Sequence, residues 1–345
     1  MILRRSNSLV VTFEDADLVV ENYVENTKIA VSSEVLRLLS VLGIETSYIK
    51  IVEFLGGDTL VVNALMSNRV LLTVGSAEER KDASIENGWV WGHDARYFHF
   101  GSRISTYESD VEVQQSLLSK LAQVEPPPSP YTELNVPFHA LASSYDELGS
   151  LSEALSNRRT CRRFRREEMQ LKDLEDLLLW TWGQSAICPD RGAGQVLLKT
   201  SPSGGARHPI EVYPVVFRVS AMEAGIYHYN VRQHGLELLS RGSYESEVVR
   251  LMGNQAWVGD SACAFFMTCV HKRSSWKYSF SRAYRVVHLD AGHLGQTFHL
   301  VCTALGLGPF TTAATDDQGI EEFLHLHPAE EFPIYCAAVG KVEIG

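Results

Sequence analysis

The first 120 residues alternate short apolar runs with turn-forming residues, a pattern typical of a small α+β unit. The run Leu9–Phe13 predicts a strand. Apolar positions at helical spacing then predict three helices, over 33–42, 47–55 and 59–66. The first helix would be capped by Ser33 and ended by Gly43, and a further strand is predicted over Val70–Val74. Three helices followed by a strand are typical of a winged-helix unit, so we expect a winged-helix-like accessory domain over residues 1–122.

Helical and strand periods alternate again from residue 150 to the end of the chain. Helices are predicted over 150–157, from Leu171 towards Gly183, and over 284–305, and strands over 211–218, 225–229, 235–239, 262–270 and 332–339. Pro214, inside the first of these strands, favours an edge position or a bulge because it cannot donate a ladder hydrogen bond. The order predicts an α+β sandwich over residues 150–345. No G-x-G-x-x-G sequence follows a predicted strand, so the usual NAD fingerprint is absent.

A proline-rich segment separates the two regions. Residues 125–130 contain four prolines in six positions, which favours a stiff, extended connector over a helix or a central strand. We therefore predict a linker over residues 123–149.

Composition narrows the class of protein. The chain has 345 residues, of which 45% are hydrophobic, so a normal core can form. The net charge is −11, and residues 1–120 carry 11 basic against 17 acidic side chains. A DNA-reading wing needs a basic face, so we expect neither a nucleic-acid nor a membrane partner. A peptide-docking or dimer-bracing role suits the accessory domain better.

The cysteines and histidines give no sign of a metal site. The six cysteines are scattered without a C-x-x-C pair, which favours incidental thiols in a reducing cytoplasm. His288 and His293 are five residues apart on a predicted helix, which is poor spacing for a shared metal. No apolar run approaches the roughly 18 residues that a membrane helix needs. We expect a soluble, cytoplasmic protein without a metal.

Positive charge concentrates at residues 158–163, where four arginines occupy six positions. Such side chains repel one another, and a bound anion would relieve the repulsion. Arginine binds phosphate through paired hydrogen bonds, and a threonine hydroxyl can add another. If the segment is extended, Arg158, Thr160 and Arg162 share one face, whereas Arg159 and Arg163 point elsewhere.

A glycine-rich loop lies about 40 residues further on, over Ser201–Pro209. Two prolines bound it, Gly204 and Gly205 remove side chains, and Arg207 is expected to point out of it. Such a loop lets a planar or phosphorylated ligand reach backbone N–H groups directly.

Lys277 and Tyr278 are the candidate proton-transfer groups. Either could act as a general base only with a lowered pKa. Lys277 could lower the pKa of Tyr278, or burial could lower the pKa of Lys277 itself. These alternatives leave the identity of the base open. Asp290 is expected to serve helix packing or to lie around the ligand.

Six motifs in this order resemble SagB-type dehydrogenases of the nitroreductase-like FMN oxidoreductases. They are RRTCRRF (158–164), SPSGGARHPIEVY (201–213), GIYHYN (225–230), WKY (276–278), YRVVHLDAGHLGQ (284–296) and ALGLG (304–308). The resemblance implies a nitroreductase-like FMN-binding α/β sandwich and a homodimer with two FMN sites at its interface. It also implies oxidation of peptide thiazolines or oxazolines to azoles, on a modified precursor peptide and with a cyclodehydratase partner.

The same resemblance assigns roles to individual residues. The FMN phosphate and ribityl contacts fall on Arg158, Arg159, Thr160 and Arg162. The loop beside the flavin falls on Pro202, Ser203, Gly204, Gly205 and Arg207. A backbone N–H facing flavin N5 falls within Thr312, Ala313 and Ala314. The Lys-Tyr pair associated with azoline oxidation falls on Lys277 and Tyr278.

These observations are compatible with three functions. The first is an FMN-dependent azoline dehydrogenase whose reduced flavin is reoxidised by dioxygen. The second is an NAD(P)H-dependent reductase of nitro, quinone or dehydroamino-acid substrates. The third is a non-catalytic subunit that binds peptide as a scaffold.

Overall fold

The computed structural model describes residues 1–42, 45–88, 93–102, 111–142, 149–188, 196–327 and 329–342. The chain divides into two compact units, Met1–Tyr107 and Glu108–Gly345. This division falls earlier than the predicted domain end at residue 122, because a helix over Val111–Val124 groups with the second unit.

The first unit is a small α+β structure. Its helices are α1 (Ser33–Val41), α2 (Tyr48–Phe54), α3 (Thr59–Ser67), α4 (Ala77–Gly88) and α5 (His93–Gly101). Its strands are β1 (Ile2–Arg5), β2 (Leu9–Glu14), β3 (Asp17–Asn22), β4 (Thr27–Val31), β5 (Thr46–Ser47) and β6 (Leu71–Thr73). They form two sheets, ordered β5–β1–β6 and β2–β3–β4. The core includes Leu3, Leu38, Ile51 and Leu65, one from β1 and one from each of the first three helices.

The predicted elements of this unit are confirmed to within a residue at each end, but the cap of α1 is wrong by one position. Ser32, not Ser33, has extended backbone angles, and its hydroxyl accepts a hydrogen bond from the Val35 N–H at 3.4 Å. Adjacent serines carry the same capping chemistry, so only the backbone path distinguishes them. Gly43, predicted to end α1, lies outside the described residues. The winged-helix likeness stays a prediction.

The second unit is built around one antiparallel sheet. Its helices are α6 (Val111–Val124), α7 (Leu151–Asn157), α8 (Leu171–Trp182), α9 (Glu245–Leu251), α10 (Lys272–Ser275), α11 (Ala283–Ala304) and α12 (Asp317–Leu324). Its strands are β7 (Phe138–Ala140), β8 (Gln184–Cys188), β9 (Val196–Lys199), β10 (Ile210–Val216), β11 (Gly225–Asn230), β12 (Gly235–Arg241), β13 (Cys263–Val270), β14 (Gly308–Thr312) and β15 (Glu331–Gly340). Described residues form a seven-stranded sheet, ordered β14–β15–β13–β10–β11–β12–β7, while β8 and β9 pair separately.

Both faces of the sheet are covered by helices, as the α+β sandwich prediction requires. Val212 and Val216 of β10 pack in one core with α8 and α11. Tyr213 and Val215, the alternate residues of the same strand, pack in a second core with α9 and α12. Burial on both faces explains why the central strands are apolar throughout rather than at every second position.

Pro214 lies in an interior strand, contrary to the edge or bulge predicted for it. Strand β10 pairs with β13 on one side and with β11 on the other. The ladder with β11 covers only Val215 and Val216, whereas Pro214 is in register with Phe265 of β13. Pro214 is therefore tolerated because the β11 ladder ends just before it.

The segment predicted as a linker belongs to the second unit. Its residues 138–140 form β7, the edge strand of the main sheet. The segment before β7 is tied down by buried charges. Arg273, 4% exposed, donates to the Ser129 carbonyl at 3.0 Å and to Thr132 Oγ1 at 2.8 Å. The Leu134 N–H donates to Glu237 at 2.8 Å.

These charges form one continuous buried network. Arg273 pairs with Glu211, and His228 lies between Glu211 at 2.9 Å and Glu237 at 2.7 Å. The two carboxylates outweigh the effect of burial and raise the pKa of His228 to about 9. Arg273 and His228 outweigh burial in the same way and lower the pKa of Glu211 to about 2. Each buried charge thus has a partner, which its burial requires.

Among the described helices, none combines the length and the apolar character needed to cross a bilayer.

Candidate active site

The arginine segment leaves the end of α7 in an extended path. Two contacts fix it against β14 and the end of β15. The Cys161 N–H donates to the Pro309 carbonyl at 2.7 Å, and buried Phe164 forms a bridge with Val342. Gly308 makes this approach possible, because a Cβ there would lie 2.9 Å from the Cys161 Cβ. Thr160 and Arg162 are left exposed on the outer side.

The positive charge of this segment is not neutralised within the described residues. None of its four arginines forms an ion pair with a described carboxylate. Arg158 instead contacts the imidazole of His299 at 3.4 Å, and Arg159 donates to backbone carbonyls of Ser156 and Arg158. The Arg162 guanidinium lies 5.7 Å from the centre of the Phe310 ring. The surface formed here can therefore take up an anion without first losing an ion pair.

The glycine-rich loop is held in shape by Asp290 of α11. Asp290, 3% exposed, accepts from the Ser203 hydroxyl at 2.6 Å and from the Gly204 N–H at 3.1 Å. Ser203 in turn accepts from the His208 N–H at 2.9 Å. The side chain of Ser203, which belongs to the loop predicted to lie beside a flavin, is thus engaged in holding the turn itself.

Glycine is required twice in this turn. A Cβ on Gly204 would lie 2.4 Å from Val286 of α11, and a Cβ on Gly205 would lie 2.4 Å from the Tyr278 hydroxyl. Gly205 also has φ +60°, in the left-handed region. The loop and the Lys-Tyr pair, 70 residues apart in sequence, are consequently in close contact.

Arg207 does not point out of the loop as predicted. It is 8% exposed, and its guanidinium lies 5.6 Å from the centre of the Trp276 ring. The aromatic face offers a cation a favourable buried position, which the loop sequence alone does not reveal. The Nε atom of Arg207 is buried without a hydrogen-bond partner among the described residues.

Lys277 and Tyr278 follow α10 and are half-buried. The Lys277 Nζ lies 5.3 Å from the centre of the Tyr278 ring. Burial, and then the charge of Arg207, lowers the pKa of Lys277 below its ordinary value. Burial raises the pKa of Tyr278, although Arg207 acts in the opposite direction. Of the two predicted alternatives, these directions agree with a lysine whose own pKa is lowered.

Thr312, Ala313 and Ala314, one of which was predicted to offer a backbone N–H to the flavin, lie at and just after the end of β14. Thr312 Oγ1 accepts from Gln255 Nε2 at 3.0 Å and from the Ala314 N–H at 3.0 Å. The Ala314 N–H is therefore already engaged. The Ala313 N–H donates to no described residue, and Ala313 is exposed.

The predicted residues gather into two clusters on opposite flanks of α11. One, the loop half, comprises Ser203, Gly204, Gly205, Arg207, Lys277 and Tyr278, and is joined to α11 at Asp290. The other, the arginine half, comprises Arg158, Thr160, Arg162, Thr312 and Ala313, and is joined to α11 at His299. His299 lies nine positions after Asp290, which is about two and a half turns and ~13 Å of helix. Because two and a half turns end half a turn from where they began, Asp290 and His299 project from opposite flanks of α11.

The two attachment residues, Asp290 and His299, are further candidate functional residues, because each holds one of the clusters in place. Asp290 was expected from the sequence to serve helix packing or to lie around the ligand, and in the structure it holds the glycine-rich loop. His299 was missed, because a single histidine in a helix has no local signal that would reveal its contact with Arg158, 141 residues away.

The fold is an antiparallel sheet covered by helices on both faces, and its arginine segment forms no ion pair with a described carboxylate. These features fit the nitroreductase class of oxidoreductases. The chain belongs to the nitroreductase family, whose model matches residues 155–341, more than half of the chain. Members of this family typically bind a flavin. The family resemblance and the fold predicted from the sequence are thus confirmed.

Two of the relatives are named as processing proteins. The trifolitoxin-processing protein TfxB of Rhizobium leguminosarum bv. trifolii is 37% identical over 154 residues, 44% of this chain and 41% of that protein. The microcin B17-processing protein McbC of Escherichia coli is 25% identical over 184 residues, 51% of this chain and 64% of that protein. The chain therefore spans about two fifths of TfxB and less than two thirds of McbC.

A solved structure shares the fold. A nitroreductase-like protein of Anabaena variabilis superposes with a TM-score of 0.54 at 23% sequence identity, covering 71% of this chain and 45% of that protein.

Proposed function

We propose that the protein is an FMN-dependent dehydrogenase that oxidises thiazoline or oxazoline rings in a modified precursor peptide to azoles. The observation that carries the proposal is the pair Lys277–Tyr278 packed beneath the glycine-rich loop, with the pKa of Lys277 lowered. Similarity to proteins that process trifolitoxin and microcin B17 supports a peptide substrate.

The residues present fit FMN in two respects. The arginine half carries positive charge without described carboxylate partners, which suits a terminal phosphate. The loop half presents a turn without side chains and the unpartnered Arg207 Nε, which suit a planar polar ring system. Arg158, Arg159, Thr160 and Arg162 would hold the phosphate and ribityl chain. Pro202, Ser203, Gly204, Gly205 and Arg207 would form the loop beside the ring, and the exposed Ala313 N–H would face it.

The two halves point to a homodimer. Within one chain they are attached to opposite flanks of α11, through Asp290 and His299. We infer that each flavin site combines the arginine half of one copy with the loop half of the other. A twofold-symmetric dimer then contains two equivalent sites.

The chain's own chemistry centres on one proton. When bound, FMN supplies the hydride acceptor for the ring's β-carbon. Lys277 Nζ, whose cation burial and Arg207 disfavour, removes the proton from the ring's α-carbon. Tyr278, whose pKa is raised, stays protonated and can donate a hydrogen bond to the substrate. Trp276, 7% exposed, packs its ring against the Arg207 guanidinium and holds it beside the pair.

The first test measures azole formation. Purified protein is incubated with an azoline-containing peptide and its cyclodehydratase, and mass spectrometry follows the loss of two hydrogens per ring. We expect Lys277→Met to abolish the loss and Tyr278→Phe to reduce it, with the flavin still bound. Lys272→Met, at an exposed lysine paired with Glu125, is the matched control and should react like the unaltered protein.

Two results would contradict the proposal. One is flavin-loaded protein that leaves azoline rings unchanged while NAD(P)H bleaches the flavin rapidly, which favours a reductase. The other is colourless protein that takes up no FMN yet binds the peptide tightly, which favours a scaffold.

The second test addresses the shared site. A variant with a disabled arginine half, Arg158→Ala/Arg162→Ala, is mixed with the loop-half variant Lys277→Met under conditions that exchange subunits. Mixed dimers make up half of the population and contain one intact site of two, so about a quarter of the full activity should return. If each site lay within one chain, the mixture would stay inactive.

A further inference from the structure

His299 lies at the base of the arginine half and has no part in the proton transfer described above. It is 5% exposed. Its Nδ1 lies 3.4 Å from Arg158 Nη1, and its Nε2 lies 3.2 Å from Thr311 Oγ1. Thr311 Oγ1 also accepts from the Tyr335 hydroxyl at 2.9 Å. His299 therefore connects the first arginine of the segment to β14 and β15.

The partners determine which nitrogen carries the proton. A guanidinium can only donate, so Nδ1 of His299 must accept. The proton then sits on Nε2 and is donated to Thr311 Oγ1, which has a second lone pair for the Tyr335 hydroxyl. This assignment satisfies every contact in the chain of hydrogen bonds.

The imidazole is uncharged at neutral pH. Burial, and then the charge of Arg158, lowers the pKa of His299 to about 4. The ionisable groups that face it are Arg158, from the segment after α7, and Tyr335 of β15 through Thr311. A protonated ring would turn the acceptor facing Arg158 into a donor and place a second cation beside it.

We propose that His299 is a positioning residue, whose accepting Nδ1 holds the Arg158 guanidinium in the orientation that grips the phosphate of the flavin. The proposal rests on the proposed function, because it takes Arg158 to be a phosphate ligand. One N–H of Arg158 is engaged by His299, which leaves the others directed at the anion. Without that contact, the half-buried Arg158 side chain can adopt other rotamers and loses alignment with the phosphate.

Two substitutions separate this role from simple packing. In His299→Asn, the side-chain carbonyl oxygen reaches the position of Nδ1 and can still accept from Arg158. In His299→Gln, the amide lies nearer the position of Nε2 and faces Thr311 instead. Asn is one methylene smaller than Gln, so His299→Asn loses more volume than His299→Gln. A milder effect of His299→Asn therefore reports on the contact with Arg158 and not on lost volume.

The experiment measures equilibrium binding of FMN and of riboflavin, which lacks the phosphate, by quenching of flavin fluorescence. We expect His299→Gln to weaken FMN binding about tenfold, the range of one charge-assisted hydrogen bond, and to leave riboflavin binding unchanged. His299→Asn should recover most of the FMN affinity. In an Arg158→Ala background, His299→Gln should have no further effect, because the two residues act as one unit.

Distinct results would overturn this inference and the function on which it rests. If His299→Gln binds FMN as tightly as the unaltered protein, or weakens FMN and riboflavin equally, His299 does not act through Arg158. If the unaltered protein binds neither flavin, the proposed cofactor itself is wrong. Melting temperatures of all variants establish that each one is folded.

Discussion

Gly205 offers the sharpest test of how the loop half is built. Its backbone has φ +60°, and a Cβ there would lie 2.4 Å from the Tyr278 hydroxyl and 3.0 Å from the two nearest ring carbons. The substitution Gly205→Ala therefore introduces two separate effects, backbone strain and overlap with Tyr278. The structure allows each to be assigned a size.

Of the two effects of Gly205→Ala, backbone strain is smaller than the overlap with Tyr278. A residue with a Cβ costs roughly 1–2 kcal/mol in the left-handed region. A domain of this size loses about 2–4 °C of melting temperature per kcal/mol, so strain alone lowers it by about 2–8 °C. Gly306 provides the matched control, because it has φ +71° and nothing within 4 Å of its Cβ position. Gly306→Ala should show the strain and nothing more.

The overlap adds a loss of function. Ordinary contact begins at about 3.4 Å, so the Tyr278 ring must move by about 1 Å to admit the new methyl group. A displacement of about 1 Å at reacting groups can cost on the order of a hundredfold in rate. We expect Gly205→Ala to lose about that much activity on azoline peptides, whereas Gly306→Ala loses little. Adding Tyr278→Phe removes the atom that overlaps most and should recover part of the lost melting temperature.

The assays are thermal unfolding and steady-state kinetics on the same four proteins. If Gly205→Ala and Gly306→Ala had equal melting temperatures and equal rates, the contact between the loop and Tyr278 would play no part in the site. A glycine at position 205 would then not be needed for this close approach.

Three further predictions concern the buried charges. Arg207→Met removes a cation that lowers the pKa of Lys277. The acid limb of the pH profile of kcat/KM reports protonation of the neutral amine, so this limb should move to higher pH in the variant. An unshifted limb would exclude Lys277 as the base. Arg273→Met leaves Glu211 buried without its arginine and should cost about 3–5 kcal/mol of unfolding free energy, measured in urea. Arg250→Met at an exposed pair should cost far less, because solvent screens exposed charges; equal losses would contradict the network. The pKa of His228 rises from 6.5 to about 9 on folding, so the stabilisation by this residue is fully present below about pH 6.5 and is lost as the pH rises through about 9. The free energy of unfolding, measured across this range, should fall in the unaltered protein and fall less in His228→Gln. Parallel curves for the two proteins would refute the assignment.

Local sequence determined the elements of this protein. Apolar residues at helical spacing predicted α1, α2 and α3 to within a residue, because period and capping act over a few neighbouring positions. Continuous apolar runs predicted β13 and β15, since a strand covered on both faces has no polar side. The motifs around Arg158 and Gly204 identified the family, because each keeps its residue types in a short contiguous stretch.

Tertiary structure decided how these pieces face one another. Nothing in the local sequence indicated that the arginine segment and the glycine-rich loop attach to opposite flanks of α11, because that depends on which residues of the helix they contact, His299 in one case and Asp290 in the other. It predicted Arg207 as an outward residue, but a Trp276 ring brought close by folding draws it inward. The pKa of Lys277 likewise depends on burial and on a cation 70 positions away. Periodicity and capping are properties of neighbours along the chain, whereas the aim of a side chain and the charge it carries are set by residues that only folding brings near.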